Sequence, residues 1–161
     1  MDIAMIGLGK MGANMARRLI KGGHRVVGID HSFENAQKLA EEAGLVAAAN
    51  LKDAVKALPA PRVIWVMVPS GAPTESVINE LAELLSPGDT IIDGGNTFYK
   101  DDIRRAATLQ AKGLHYVDVG TSGGVWGLSE GYSLMVGGEA EVVSRLRPIF
   151  ETLAPAADQG W

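Results

Sequence analysis

Cysteine is absent from the sequence, and only three of its 161 residues are histidine. Without cysteine the chain has neither disulfide bonds nor thiolate metal ligands, which is compatible with a reducing compartment. The three histidines, His24, His31 and His115, lack the spacing that metal ligands show in metal-binding motifs. We therefore expect no metal site in this chain.

The sequence also lacks an excess of positive charge and any apolar run long enough for a membrane. Its formal net charge is −4, so it has no electrostatic footprint for nucleic acid. The apolar run "VIWVMV" has six residues, and the amino terminus has no basic segment typical of a signal peptide. We expect a soluble, cytoplasmic chain that binds neither nucleic acid nor membranes. The pairs Arg17-Arg18 and Arg104-Arg105 lie on predicted helices, and we interpret both as solvated helix faces.

Short apolar runs alternate along the chain with segments of helical pattern. The predicted strands are 3–7, 25–30, 62–68, 90–94, 115–120 and 133–138, with a weaker candidate at 45–49. The predicted helices are 11–21, 33–43, 51–58, 74–85, 99–112 and 139–153. Continuous apolar character is typical of strands in a parallel sheet covered on both faces. The pattern therefore predicts one α/β domain over 1–161, a Rossmann-like, doubly wound and mostly parallel sheet with helices on both faces.

The segment "GLGKMG" lies between the first predicted strand and the first predicted helix, which is the context that a dinucleotide-binding G-x-G-x-x-G motif requires. Gly7 would permit the tight turn, Gly9 the close approach of a pyrophosphate, and Gly12 the packing of helix on strand. Lys10 could also approach the pyrophosphate, although a simply solvated lysine is the commoner case. The candidate cofactor-binding residues of this motif are Gly7, Leu8, Gly9, Lys10, Met11 and Gly12.

Asp30 ends the second predicted strand, where a carboxylate can accept hydrogen bonds from the adenosine ribose hydroxyls. Its charge would repel a 2′-phosphate, and the residues that follow it are His31 and Ser32 rather than arginine. We therefore expect NAD as the cofactor in preference to NADP. The alternative is that Asp30 caps the next helix, although Ser32 is the better candidate for that position.

Two other strand ends carry candidate binding residues. Val68 and Pro69 follow the fourth strand and could form an apolar wall beside adenine or ribose, although a plain strand-to-helix turn explains them nearly as well. Asn96 follows the fifth strand in "DGGN", where its amide could bind nicotinamide and substrate. Stabilisation of its own turn is an equally good explanation for Asn96.

The segment "VGTSGGVWGLSEGYSLMVGG" at 119–138 is rich in glycine and yet contains apolar residues. Its first part, with Ser122, Gly123 and Gly124, follows a predicted strand, so its backbone N–H groups could approach a ligand closely. Its second part reads as an ordinary strand and turn. We interpret the residues between them as an apolar turn in which Trp126 is a core anchor rather than a stacking platform for substrate.

The motifs "GLGKMG", "DGGNTFYKDDIRR" and "SGGVWGLSEGYSLMVGG" together resemble the cofactor domain of 6-phosphogluconate dehydrogenase (decarboxylating), in its shorter-chain branch. The resemblance covers essentially the whole chain. It implies that Asn96 lies between nicotinamide and substrate, and that Ser122, Gly123 and Gly124 contact the substrate near its carboxylate. The implied substrate is a phosphorylated sugar acid, 6-phosphogluconate, which is converted to ribulose 5-phosphate and CO₂.

The chain departs from the family pattern in two informative ways. NADP-using members carry an Asn-Arg-Thr type sequence where this chain has Asp30, His31 and Ser32, which favours NAD. The family's Lys-Met-x-His-Asn type motif, with the general-base lysine, does not occur in these 161 residues, and neither does the helical domain that completes the substrate pocket. The resemblance therefore implies a catalytic lysine beyond residue 161, an inactive isolated chain and a homo-oligomeric full-length protein.

Two alternatives remain from the sequence. A dehydrogenase of the 3-hydroxyisobutyrate type shares the first glycine motif, although it usually carries an Asp-x-Ser-Thr type strand end where this chain has "DGGN". A non-catalytic NAD-binding sensor would fit the short chain, but it would not need Asn96 together with Ser122, Gly123 and Gly124.

Overall fold

The computed structural model describes residues 1–95 and 98–159, and within them the chain forms a seven-stranded sheet. The strands are β1 (Asp2–Ile6), β2 (Arg25–Ile29), β3 (Val46–Ala47), β4 (Val63–Val66), β5 (Thr90–Asp93), β6 (His115–Ser122) and β7 (Ser133–Gly137). Their order is β3-β2-β1-β4-β5-β6-β7, and β7 alone in this sheet runs antiparallel to its neighbour. The predicted Rossmann-like fold class is confirmed.

Helices connect the strands. They are α1 (Lys10–Lys21), α2 (Phe33–Ala43), α3 (Leu51–Lys56), α4 (Ala72–Leu84), α5 (Tyr99–Gln110), α6 (Gly127–Glu130), α7 (Ala140–Arg145) and α8 (Arg147–Leu153), with 3₁₀ turns at Gly124–Trp126 and Ala157–Gln159. The single helix predicted over 139–153 is two helices that meet at Leu146. Pro148 explains the break, because it has no N–H and its ring clashes with the carbonyl of the preceding turn.

The sheet is covered on both faces, because successive residues of each strand point to opposite sides. One face packs against α1, α2 and α8 through Ile3, Met5, Trp65, Ile92, Val117, Met15, Leu19, Leu39 and Ile149. The other packs against α3, α4 and α5 through Ala4, Ile6, Ile64, Val66, Ile91, Val55, Ile78 and Leu109. These continuous apolar strands are the feature from which the sequence predicts a parallel sheet.

The strand order reverses at β1. From β1 the chain proceeds through α1 to β2 and β3 on one side, and then returns to β4 on the other side of β1. In open α/β sheets, ligands bind in the crevice at the carboxyl ends of the strands beside such a reversal. Gly7, Asp30 and Val68 all follow strands that end at this crevice.

The interpretation of the arginine pairs as solvated helix faces is wrong for one member of each pair. Arg18 donates from Nε to the Thr152 carbonyl at 2.8 Å and from Nη2 to the Ala154 carbonyl at 2.9 Å. Arg105 is only 3% exposed. Both guanidinium groups find their partners on elements distant in sequence, which helical periodicity does not reveal.

Candidate functional site

The turn between β1 and α1 requires glycine at two positions. Gly7 has φ of 96°, and a Cβ there would overlap the carbonyl oxygen of Met67. A Cβ on Gly12 would overlap the carbonyl oxygen of Gly7. By contrast, a Cβ on Gly9 would meet nothing within 4 Å. The turn is therefore closed on the protein side and open where Gly9 faces outward.

The amino end of α1 is available for an anion. Gly9 occupies the N-cap position, and among the described residues no side chain caps this end. The first N–H groups of a helix have no intrahelical partner, and the helix dipole makes this end positive. Lys10 adds an exposed positive side chain beside it. This arrangement suits a phosphate group.

Asp30 is held against the glycine turn rather than left as a free side chain. Its Oδ1 accepts a hydrogen bond from Leu8 N at 3.1 Å, and its Oδ2 accepts one from Asn35 Nδ2 at 2.9 Å and a longer one from Ser32 N at 3.4 Å. Burial alone would raise the pKa of Asp30, but these hydrogen bonds outweigh it and leave the pKa below its ordinary value. Asp30 is therefore ionised at neutral pH.

Both explanations offered for Asp30 have a structural basis. Ser32 lies at the N-cap of α2, but its side chain makes no cap hydrogen bond. The Asp30 carboxylate instead receives the Ser32 N–H and the Asn35 side chain, so it supports the start of α2. A carboxylate offers about four lone-pair sites, and three donors are in place, so Asp30 retains capacity for a further hydrogen bond from a ligand.

These residues line one cleft of about 780 Å³ at the strand-order reversal. The sequence-predicted residues in its lining are Gly7, Gly9, Lys10, Met11, Gly12, Asp30, Val68 and Pro69. Leu8 lies behind the cleft, where it is buried and donates its N–H to Asp30. A volume of this size is in the range of small-molecule and cofactor sites.

Part of the lining of this cleft was not predicted from the sequence. This part comes from the loop after β3, from the start of α3 and from α4, and its residues are Ala49, Asn50, Leu51, Val77 and Glu80. Asn50 is fixed there because its side chain accepts the Asp53 N–H at 2.8 Å and caps α3. The doubly wound topology was the available signal, since it brings the carboxyl ends of β2 and β3 to the edge where β1 ends.

The second predicted group lies apart from this cleft. Ser122 ends β6 and is exposed, with Gly123 and Gly124 following it. Strands β5 and β6 are parallel neighbours, with Asp93 opposite Asp118. Asn96, which follows β5 in the sequence, falls outside the described residues. The structure therefore locates Ser122, Gly123 and Gly124 at the carboxyl edge of β6, but none of the three lines the 780 Å³ cleft.

The interpretation of Trp126 as a core anchor is wrong, because its side chain is 69% exposed. Tyr132 is the anchor of this loop and is only 1% exposed. A Cβ on Gly123 would lie 2.6 Å from the Tyr132 ring, and one on Gly127 would overlap it. The loop therefore closes down on Tyr132 and directs Trp126 outward.

The described residues contain neither a membrane-spanning helix nor a cluster of metal ligands. Within 1–95 and 98–159, no helix is long and apolar enough to cross a membrane. Over the same residues, no three His, Cys, Asp or Glu side chains are grouped as metal ligands.

Fold and cleft together define a dinucleotide-binding domain of the Rossmann type. Comparison with known proteins makes this more specific, since a family model for the NAD-binding domain of 6-phosphogluconate dehydrogenase matches residues 2–160. The chain belongs to this family. This match confirms the family that the motifs predicted. It also confirms the predicted nicotinamide dinucleotide cofactor.

Curated relatives extend beyond the region that this chain covers. YqeC of Bacillus subtilis is 42% identical over 154 residues, which are 96% of this chain and 51% of that protein. The NAD(+)-dependent decarboxylating 6-phosphogluconate dehydrogenase of Haloferax volcanii is 38% identical over 158 residues, with 98% of this chain and 52% of that protein covered. The chain thus spans about half the length of these two relatives.

Solved structures of two enzyme types are similar to this chain. The 6-phosphogluconate dehydrogenase of Plasmodium falciparum, described with NADP+ and with 6-phosphogluconate, has a TM-score of 0.91 at 25% identity and covers 99% of this chain and 35% of that one. The 3-hydroxyisobutyrate dehydrogenase of Mycobacterium tuberculosis has a TM-score of 0.85 at 29% identity and covers 95% of this chain and 52% of that one.

Proposed function

We propose that residues 1–161 form the cofactor domain of an NAD-dependent oxidoreductase that converts 6-phosphogluconate to ribulose 5-phosphate and CO₂. The observation that carries the cofactor part is the ionised Asp30 carboxylate, held at the glycine turn on the border of an otherwise open cleft. The substrate part rests on membership of the family and on the "DGGN" and "SGG" motifs.

The cofactor would lie along the cleft with its pyrophosphate at the amino end of α1. Gly9 leaves room for that approach, and Lys10 supplies a positive charge beside it. Asp30 would accept a hydrogen bond from a ribose hydroxyl with its remaining capacity, while Val68 and Pro69 would contact the adenosine part. A 2′-phosphate next to the Asp30 carboxylate would be repelled, so we expect NAD to bind more tightly than NADP.

The reacting end would lie toward the carboxyl edges of β5 and β6. Bound NAD supplies a hydride acceptor for C3 of the sugar acid. We propose that the Asn96 amide binds nicotinamide and substrate, and that Ser122 with the N–H groups of Gly123 and Gly124 binds the substrate carboxylate. The resulting 3-keto acid loses CO₂, and protonation of the enediol gives ribulose 5-phosphate. The family pattern assigns the base that takes the hydroxyl proton to a lysine beyond residue 161.

Isothermal titration of the 161-residue chain with NAD and with NADP tests the cofactor proposal. We expect NAD to bind at least about tenfold more tightly, which corresponds to about 1.4 kcal/mol. Asp30→Ala should abolish this preference. Glu34→Ala is the matched control, because Glu34 carries the same charge on α2, is 73% exposed and lies outside the cleft. A wild-type chain that prefers NADP would contradict the proposal.

The substrate proposal is tested on the full polypeptide encoded by the reading frame that contains these residues. It is assayed with 6-phosphogluconate and with 3-hydroxyisobutyrate, each with both cofactors. Production of CO₂ and ribulose 5-phosphate supports the proposal. Oxidation of 3-hydroxyisobutyrate alone would favour the second enzyme class, to which the fold is also similar. Tight NAD binding without turnover of either substrate would favour a sensor.

A further inference from the structure

A buried polar cluster lies behind the turn that follows β5, and the cofactor cleft does not use it. Asp93 is fully buried, and its Oδ1 accepts the Gly95 N–H at 3.0 Å, which fixes the turn immediately before Asn96. Its Oδ2 lies 3.4 Å from Nη1 of the buried Arg105. Arg105 also donates from Nε to Glu75 at 2.8 Å, so one guanidinium joins α4, α5 and the end of β5.

Tyr116 bridges two carboxylates of this cluster. Its hydroxyl oxygen lies 2.8 Å from Asp93 Oδ2 and 2.7 Å from Asp102 Oδ1. A phenol has one proton and can donate to only one of them. Asp93 is the carboxylate that contacts Arg105, so it is the natural anionic acceptor. The short contact between Tyr116 and Asp102 then needs a second proton, and Asp102 is the group that can carry it.

We propose that Asp102 retains a proton in the folded chain and donates it to Tyr116, which in turn donates to Asp93. Asp102, Tyr116 and Arg105 are then positioning residues that hold the Asp93–Gly95 turn. The consequence for ligand binding rests on the proposed function, in which Asn96 binds the nicotinamide.

The charges around Tyr116 favour a retained proton. The titratable and charged groups that are linked to this cluster by contacts or by charge are Glu75 on α4, Asp93 on β5, Asp101, Asp102, Arg104 and Arg105 on α5, and Asp118 on β6. Glu75 accepts hydrogen bonds from both Arg104 and Arg105, and the Arg104 hydrogen bond is the largest cause that lowers the pKa of Glu75 to about 2. Glu75 is therefore charged and takes up part of the positive charge of both arginines. Among these named groups, the four aspartates therefore outnumber the positive charge that Arg104 and Arg105 leave after pairing with Glu75.

Asp102 and Asp118, the two acidic neighbours of Asp93, both have raised pKa values. Burial is the main cause that raises the pKa of Asp102, and nearby Asp93 and Asp101 raise it further, against the Tyr116 hydrogen bond and Arg105. Burial, followed by Asp102 and Asp93, raises the pKa of Asp118 to about 6. A carboxyl with a raised pKa keeps its proton as pH rises above the ordinary range and loses it only at higher pH.

Loss of that proton should disturb the turn. Above the pKa of Asp102, a single phenol proton lies between two anionic carboxylates, and one of the two short contacts becomes a repulsion. The Asp93–Gly95 turn then loses part of its support, and NAD affinity should fall as pH rises. Asp102→Asn would keep a neutral donor at this position at every pH.

Carboxyl-carbon NMR titration of the 161-residue chain without NAD tests the proton directly. The Asp102 signal, assigned by its loss in Asp102→Asn, should titrate with a midpoint clearly above the value of about 3.9 for an ordinary aspartate. A midpoint near 4 would overturn the proposal. Asp101→Asn is the matched control, since Asp101 is the adjacent acid on α5 with a 44% exposed side chain, and it should leave the Asp102 midpoint high.

NAD affinity measured from about pH 4.5, just above the value of about 3.9 for an ordinary aspartate, up to about pH 8.5 tests the positioning role. We expect the wild type and Asp101→Asn to lose at least about threefold in affinity over this range, while Asp102→Asn stays flat. Tyr116→Phe should bind NAD weakly at all pH values, with circular dichroism confirming the fold. An Asp102→Asn variant with the wild-type slope would refute the positioning role. Absence of NAD binding even at the lowest pH would instead count against the proposed function, and the NMR titration would still test the retained proton independently.

Discussion

Two glycines of the turn between β1 and α1 differ in the space available for a Cβ atom. A Cβ on Gly12 overlaps the carbonyl oxygen of Gly7, which is backbone and cannot move aside without opening the turn. A Cβ on Gly9 enters open space, and its φ of −66° is accessible to any residue. Gly12 is therefore required for the fold of the turn, and we assign Gly9 to the ligand side.

Alanine substitutions at these two positions should separate folding from binding. We expect Gly12→Ala to lower the free energy of unfolding by at least about 2 kcal/mol, because the overlap forces the backbone apart. Gly9→Ala should change it by less than about 1 kcal/mol. It should nevertheless weaken NAD binding at least about tenfold, because the methyl group occupies the pyrophosphate approach. Urea denaturation and isothermal titration measure the two effects, and equal destabilisation by both variants would contradict this assignment.

At the scale of secondary-structure elements, Arg18 connects α1 to two distant parts of the chain. Its guanidinium donates to the carbonyls of Thr152 and Ala154 at the end of α8 and to the carbonyl of Leu128 on α6. These carbonyls lack intrahelical partners, and a positive charge is favourable at the carboxyl end of a helix. Arg18 thus fixes α1 against α6 and the carboxyl end of α8.

Its neighbour Arg17 offers a matched comparison. Arg17 pairs with both carboxylate oxygens of Glu42 at 2.9 Å, but Glu42 is 58% exposed. We expect Arg18→Met to cost about 2–3 kcal/mol, because it leaves partly buried carbonyls without donors. Arg17→Met should cost at most about 1 kcal/mol, as for other exposed ion pairs. Chemical denaturation of both variants distinguishes these values, and similar losses would show that the Arg18 contacts contribute little.

Local sequence signals predicted most elements well, and they failed where the chain meets distant partners. Helix α2 was predicted with the observed bounds of 33–43, because Ser32 and Gly44 mark its two ends. The division between α7 and α8 was missed although Pro148 signals it. Trp126 was misplaced because its side chain is apolar, whereas the buried position belongs to Tyr132, which the glycines at 123 and 127 contact.

At the scale of the whole molecule, NAD binding should stabilise the folded chain, because the cleft exists only in the folded state. A ligand that binds only the folded state at 100 times its Kd adds about 2.7 kcal/mol to the free energy of unfolding. For a chain of this size, NAD should therefore raise Tm by roughly 5–10 °C. Differential scanning calorimetry with and without NAD measures the shift, and Asp30→Ala should reduce it.

The isolated chain should form no ribulose 5-phosphate, so robust turnover by these 161 residues would contradict the assignment of the base to a downstream lysine.

Periodicity and motifs a few residues long were enough to predict the parallel sheet, the glycine turn, the position of Asp30 after β2 and the family. Tertiary structure alone decided which charged and aromatic side chains are buried. Arg18 reaches Ala154 across 136 positions of sequence, and Tyr116 reaches Asp93 across 23. Burial and the Tyr116 contacts depend on such pairings between separate elements, and no local pattern encodes them.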